Sequence, residues 1–333
     1  MSYAFCSKIG IYRRILQKKS AMKLFKKIII IILASIALSM LGGYFYFQKK
    51  FTPKENYLRV SATAEKIPIK WISSDENTHS ALLLPVKING IDETFYMQFD
   101  SGSPITVFYK NSLESIAQKF SSQIKLNTEK NEVSSGFKIG KMNVESAHFE
   151  VLNYGKKINF DDSDATNIIG TIGTDLLEKR ITILDFKNNN CSFIEQIKEN
   201  DFADFEFKKR KILIPAKVKN ENLKLLYDSG TSGYELITTK EVWNEYKTKT
   251  SRIKIEKGNS WGNTLDVFSA DANQKIAFGA LPLKLSEVTY IEGTSKLQNF
   301  LMKSSGMQGM IGNKLFLNNK LILDCKNEKF KLE

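Results

Sequence analysis

The chain has 333 residues, 42% hydrophobic and 26% charged, with a formal charge of +13. That length supports two modest lobes around a sizeable combined core, and three cysteines are too few for a disulfide framework. The basicity is not a nucleic-acid signal: Lys8, Arg13, Arg14, Lys18, Lys19, Lys23, Lys26 and Lys27 put eight of the charges into residues 1–27, where there is no acid, leaving +5 for the rest.

These charges directly precede residues 28–47, twenty positions without a charge, followed by Lys49 and Lys50. Twenty helical residues span about 30 Å, the thickness of a bilayer core. The Lys/Arg excess places residues 1–27 in the cytoplasm and everything after residue 50 outside it, in the periplasm or beyond the cell. Tyr44, Phe45, Tyr46 and Phe47 form the outer aromatic belt. The competing reading is a cleaved signal peptide; the lack of an Ala-x-Ala ending or a lipid-acceptor Cys favours an uncleaved signal-anchor. Met22-Lys23-Leu24-Phe25-Lys26-Lys27 has the look of a natural start, so translation of residues 1–21 stays open. Residues 48–65 are expected as a linker. Cys6 is cytoplasmic, and Cys191 and Cys325 are expected as two buried thiols.

Beyond the linker the chain repeats itself. Leu82-Leu83-Leu84-Pro85-Val86-Lys87-Ile88-Asn89 matches Ile212-Leu213-Ile214-Pro215-Ala216-Lys217-Val218-Lys219, each a strand-like run. Each leads to an apolar strand ending in a charged phrase, Phe99-Asp100-Ser101-Gly102-Ser103 and Tyr227-Asp228-Ser229-Gly230-Thr231. Short helices are expected next, over 111–120, with Asn111 and Glu114 as a capping box, and over 239–247. Each half closes on a Gly-x-x-Gly block, Gly170-Thr171-Ile172-Gly173 and Gly309-Met310-Ile311-Gly312, and in both the second Gly precedes a closing Asp (Asp185, Asp324) by 12 residues. A single Asp-Ser-Gly is ordinarily a strand-end turn, and a single Gly-x-x-Gly an ordinary turn. Their recurrence in the same order, with the same 12-residue interval from second Gly to closing Asp, indicates duplication.

An Asp carried to the end of an apolar strand loses solvation, which raises its pKa, while Gly lets backbone N–H groups approach it. The paired phrases resemble the active-site phrase of the pepsin-like and retropepsin-like aspartic proteases, and the resemblance covers residues 66–333. It implies an all-β body of two β-barrel-like lobes related by a pseudo-two-fold axis, 66–200 and 201–333, facing each other across a cleft and preceded by one transmembrane helix. By the same resemblance Asp100 and Asp228 are the catalytic dyad of an endopeptidase. Ser101 and Ser229 brace the two loops, Gly102 and Gly230 form their turns, and Ser103 and Thr231 bond the outer carboxylate oxygens. Ile172-Gly173 and Ile311-Gly312 buttress the loops from behind. The implied partner is a peptide or protein substrate lying extended in the cleft of a monomer; no cofactor, metal or nucleic acid is expected.

Other chemistries fit poorly. His79 and His148 are the only histidines and lie in no metal-ligand or triad spacing, and no phosphate-binding loop is present. Pepsin-like enzymes cover the cleft with a first-lobe hairpin carrying a Tyr. The corresponding stretch here, 124–140, is short and has neither Tyr nor Trp, whereas 253–268 in the second half carries Trp261 between Ser260 and Gly262, a candidate flap. The alternative is a membrane-tethered peptide-binding module that keeps the fold without turnover.

Overall fold

The computed structural model describes residues 2–333 except 75–76, 122, 128, 261–262 and 294–305. The chain divides into two compact units, Met1–Lys54 and Glu55–Glu333. The first is helix α1 (Ser2–Phe51). Within it Phe25–Lys50 is long and apolar enough to cross a membrane, with a mean hydropathy of 2.4 and none of its window buried. With none of that window buried, the helix fits a membrane anchor or a signal sequence.

The second unit is built from β-strands. Its first half contains β1 (Arg59–Ser61), β2 (Ala64–Pro68), β3 (Lys70–Ile72), β4 (Ala81–Ile88), β5 (Phe95–Phe99), β6 (Val107–Tyr109), helix α2 (Lys110–Lys119), β7 (Lys125–Asn127), β8 (Glu132–Ile139), β9 (Met142–Leu152), β10 (Ile168–Ile172), β11 (Ile181–Asp185) and β12 (Asn190–Ile194). The second half adds β13 (Ala203–Asp204), β14 (Glu206–Lys208), β15 (Lys211–Val218), β16 (Glu221–Tyr227), β17 (Leu236–Ile237), α3 (Lys240–Tyr246), β18 (Lys254–Ser260), β19 (Asn263–Phe278), β20 (Leu281–Glu292), β21 (Gly309–Ile311), β22 (Lys320–Asp324) and β23 (Lys329–Leu332).

In the first half β4, β5, β10, β6, β9 and β8 pair in a closed circuit back to β4. In the second, β15, β16, β21, β17, β20 and β19 close on β15. Both circuits run antiparallel, parallel, antiparallel, parallel, antiparallel, antiparallel. Two barrels with one order of strand directions are what a duplicated sequence builds. The cause is the side-chain alternation of strands with one inward face. Phe95, Met97 and Phe99 of β5 are buried while Tyr96 and Gln98 are only half-buried, and Ile212, Ile214, Ala216 and Val218 of β15 face inward between more exposed neighbours. Pro85 and Pro215 occupy equivalent ladder positions, opposite Tyr96 and Lys224.

A third, six-stranded sheet draws on both halves in the order β13-β23-β22-β11-β12-β2. Its central pair is antiparallel with Ile183 opposite Ile322, so exchanging the halves maps the sheet onto itself. The body is therefore all-β, with two barrel-like lobes related by a pseudo-two-fold axis.

Two local expectations change. Helix α2 starts at Lys110 and has no side-chain cap; Asn111 instead donates from Nδ2 to the Gly155 carbonyl at 2.8 Å, a tertiary contact that overrides the capping box. Helix α3 is capped as its sequence suggests, Thr239 accepting from the Val242 amide. Residues 55–61, within the stretch expected as a linker, lie against the first barrel: β1 pairs with β9, and the Asn56 side chain is bonded at both ends.

Candidate active site

Asp100 and Asp228 stand one residue past the ends of β5 and β16, the equivalent strands of the two barrels. Each is fixed from behind by the strand parallel to its own. The Asp100 amide donates to the Ile172 carbonyl and the Asp228 amide to the Ile311 carbonyl, both at 3.0 Å. The following glycines are sterically required. A Cβ on Gly173 would lie 2.3 Å from the Ile105 carbonyl carbon, and one on Gly312 would lie 2.1 Å from the Thr231 oxygen. Backbones pass there with no room for a side chain, so Ile172-Gly173 and Ile311-Gly312 hold the positions behind the two loops.

The loops are joined by four reciprocal hydrogen bonds. Ser101 N donates to Ser229 Oγ and Ser229 N to Ser101 Oγ, both at 2.8 Å. Ser101 Oγ donates to the Tyr227 carbonyl and Ser229 Oγ to the Phe99 carbonyl, both at 2.9 Å. Both serines are buried, so these bonds form without competition from water.

Inside each loop the Gly amide turns back on its own Asp. Gly102 N donates to Asp100 Oδ1 at 2.9 Å and Gly230 N to Asp228 Oδ1 at 2.8 Å. Each Gly also lies against the opposite carboxyl group. A Cβ on Gly102 would fall 2.5 Å from Asp228 Oδ1, and one on Gly230 would fall 2.6 Å from Asp100 Oδ1. Each carboxyl group thus reaches the opposite loop, and the two are close enough to act on each other's proton. Burial raises Asp100 above the ordinary carboxylate range against the pull of the Gly102 and Ser103 amides. Burial and then the Asp100 charge push Asp228 up to about 7. Two such carboxyls hold one proton between them over a broad range of pH.

The hydroxyls of Ser103 and Thr231 do not bond the outer carboxylate oxygens as expected. Ser103 Oγ donates to the Ile105 carbonyl and Thr231 Oγ1 to the Asp228 carbonyl, both at 2.8 Å. They stabilise the turns through main chain, while the Ser103 amide supplies a longer contact of 3.2 Å to Asp100 Oδ1. Trp261, the candidate flap residue, lies outside the described residues. The hairpins that would carry a flap are β7–β8 and β18–β19, and β18 is tied toward the second loop by Tyr234 OH donating to Glu256 Oε1 at 2.8 Å. His79 contacts Thr78 and Trp71, and His148 contacts Glu132 and Tyr57.

Several supporting residues were not singled out in the sequence. Asp175 is buried and accepts from Thr106 N at 2.7 Å and Thr106 Oγ1 at 2.6 Å, and burial pushes it up to about 6. Across the pseudo-axis Tyr227 OH donates to Asn313 Oδ1 at 2.6 Å, and Asn313 Nδ2 to Ser232 Oγ at 2.9 Å. Asp175 follows Gly173 and Asn313 follows Gly312 within one or two positions, so the Gly blocks signalled where to look but not which partners would be met. Asp185 and Asp324 bind turn amides within three residues.

No protein family and no curated protein matches the sequence. Among solved structures the chain is similar to the crystal structure of an aspartic proteinase from Irpex lacteus, with 9% identity and a TM-score of 0.47, covering 81% of this chain and 97% of that one. That likeness is one of fold; the geometry above stands on this chain's own residues.

Proposed function

We propose that the chain is a membrane-anchored aspartic endopeptidase with Asp100 and Asp228 as its dyad. The observation that carries this reading is the close approach of two carboxyl groups with raised pKa, presented by mirrored loops that Ser101 and Ser229 lock together. In this reading a water held between the carboxyls loses a proton to the ionised Asp and attacks the peptide carbonyl. The protonated Asp donates a hydrogen bond to the developing oxyanion, and the Asp that took the water's proton passes it to the leaving amine as the tetrahedral species collapses, which restores one ionised and one protonated carboxyl. The loop amides of Gly102 and Gly230 keep each carboxyl oriented without conformational cost at the moment of reaction. Sharing of one proton between two carboxyls at close range is the behaviour known from aspartic proteases themselves.

The apolar α1 serves as the anchor, with its basic end in the cytoplasm and the body exported. The two barrels form the two lobes, 66–200 and 201–333, and an extended peptide or protein substrate lies between them in a monomeric enzyme.

The test is peptide-library cleavage by the full chain in detergent, beside Asp100→Asn and Asp228→Asn. Cleavage by the unaltered chain that both substitutions abolish is the expected result. Cleavage that survives both overturns the mechanism. Saturable peptide binding without cleavage by the unaltered chain assigns it instead as a tethered binding module.

A further inference from the structure

The pseudo-two-fold symmetry of the site breaks behind the Asp100 loop. Two separate parts of the chain bond residues 103–106 there, and a third bonds the residues that hold them. From the Gly173 block, Thr174 Oγ1 donates to the Ser103 carbonyl at 3.0 Å, and the Asp175 carboxylate holds both donors of Thr106. From the turn between β14 and β15 in the second half, Arg210 reaches across and donates from Nη1 to the Pro104 carbonyl at 3.3 Å. The Arg210 side chain is 5% exposed, and its Nε donates to Glu178 Oε1 at 2.8 Å. Its main-chain oxygen accepts from Thr174 Oγ1 at 2.7 Å.

The third part is the segment that follows α1. Asn56 lies six residues beyond Lys50, and its Nδ2 donates to Glu178 Oε2 at 2.6 Å and to the Asp175 carbonyl at 2.8 Å. Asn56 Oδ1 accepts from the Leu58 amide at 3.0 Å, so the side chain is used at both ends. Tyr57 packs edge-on to His148, and Arg59–Ser61 pair with β9, which holds the segment in place. Among the described residues the second lobe has no matching arrangement. The position equivalent to Asp175 is Lys314, which pairs with Glu287 at 2.8 Å, and the position equivalent to Glu178 is Leu317.

We propose that Asn56 and Arg210 are positioning residues for the Asp100 loop, Arg210 through its bond to the Pro104 carbonyl and Asn56 through Glu178 and Arg210. The segment next to the apolar helix is then part of the machinery that sets the dyad's geometry, and not a passive spacer. The physical reason is that Glu178 is one carboxylate with two donors. Asn56 holds Oε2 and thereby orients Oε1 toward Arg210, whose planar guanidinium joins Glu178 to the Pro104 carbonyl in a single rigid group. Loss of either donor frees the main chain immediately after Ser103, and the Asp100 carboxyl depends on the Gly102 and Ser103 amides for its orientation.

This inference rests on the dyad reading, and its test is chosen to separate the two. Full-length chain in detergent is compared with Asn56→Ala, Arg210→Lys and the double variant, by amide hydrogen exchange over residues 100–106 and 228–234 and by peptide-cleavage kinetics. Asn56→Ala should raise exchange over 100–106 while leaving 228–234 unchanged, and lower kcat about 3–10-fold with KM unchanged, the equivalent of one lost hydrogen bond. Arg210→Lys keeps the charge but cannot span both acceptors, so it should act in the same place and more strongly. The double variant should be no worse than Arg210→Lys alone, because Asn56 reaches the loop only by way of Glu178 and Arg210. Unchanged exchange over 100–106 in both single variants overturns the proposal, as does an equal rise in both lobes or additive effects in the double variant. Should the unaltered chain cleave nothing, the endopeptidase reading fails, and the exchange comparison still decides the positioning role.

Discussion

Ser101 and Ser229 exchange hydrogen bonds across the pseudo-axis, each amide donating to the other's hydroxyl and each hydroxyl donating to the carbonyl that precedes the other's Asp. Neither loop reaches its conformation independently of the other. Ser229→Ala leaves the Ser101 N–H and the Phe99 carbonyl facing a buried gap, and unsatisfied buried groups of this kind cost about 1–3 kcal/mol each. We expect the melting temperature of the body to fall by about 5–10 °C. Ser101→Ala should cost a similar amount and the double variant less than the sum, because both remove members of one set. Calorimetry of the three variants checks this; full additivity would mean the four bonds are energetically independent.

The glycines give a sharper separation of activity from folding. The three atoms nearest a Cβ on Gly102 all belong to the Asp228 carboxyl group, at 2.5–2.7 Å. Gly102→Ala should therefore displace that carboxyl and cut turnover by about 100-fold, as misplacement on the ångström scale does, in a chain that still folds. A Cβ on Gly312 meets the Thr231 and Tyr234 carbonyl oxygens at 2.1 and 2.6 Å, both main chain. Gly312→Ala should fail to fold at all. Soluble expression and circular dichroism distinguish the two outcomes before any assay.

How much of this was legible in the sequence depends on whether a feature was local. Asp100 and Asp228, their Gly turns and the Gly173 and Gly312 blocks each sit inside a short phrase, and duplication printed every phrase twice. Two copies also made a pair of equivalent lobes legible, since equivalent runs build equivalent folds; the order of strands within each was not. The direction of a hydroxyl was not legible. Ser103 and Thr231 occupy the expected loops, but their hydroxyls bond the main-chain oxygens of Ile105 and Asp228. Nor were partners distant in the chain. Thr106 and Asp175 are 69 residues apart, and Arg210 and Pro104 are 106 apart. Asn56 lies in a stretch whose polar composition resembles a linker, and only its tertiary contacts distinguish it from one.

The dyad's protonation fixes the sign of two pH effects. Both carboxyls are raised, Asp228 from 3.8 to about 7. The folded chain therefore keeps a proton that the unfolded chain has already released. The stability this contributes is fully present below about pH 4 and is lost as pH rises through 7. Asp228→Asn removes the group responsible, so its melting temperature should equal or exceed that of the unaltered chain at pH 8 and lose the advantage at pH 4. Cleavage needs one ionised and one protonated carboxyl, so the rate should fall as pH rises through about 7. Melting curves and kcat profiles between pH 3 and 9 measure both, and a rate that keeps rising above pH 8 would contradict a shared proton.

Charge at the two ends of α1 sets the expected orientation of the anchor. Eight positive charges before residue 28, and none of opposite sign, favour a cytoplasmic start for a helix whose apolar window is entirely exposed. Cys191 and Cys325 are both buried and free, so they do not compete for thiol reagents in the folded body. In a Cys6→Ser background, a thiol can be placed on either side of the helix at exposed positions, as Met22→Cys or Lys284→Cys. A membrane-impermeant maleimide added to cells whose outer layer admits it should label Lys284→Cys and leave Met22→Cys unlabelled until the membrane is opened. The reverse pattern would place the body in the cytoplasm. Labelling of Lys284→Cys on a product shortened by the mass of the helix, and recovered without detergent, would identify α1 as a cleaved signal sequence. Retention of full length through alkaline extraction is the outcome expected of an anchor.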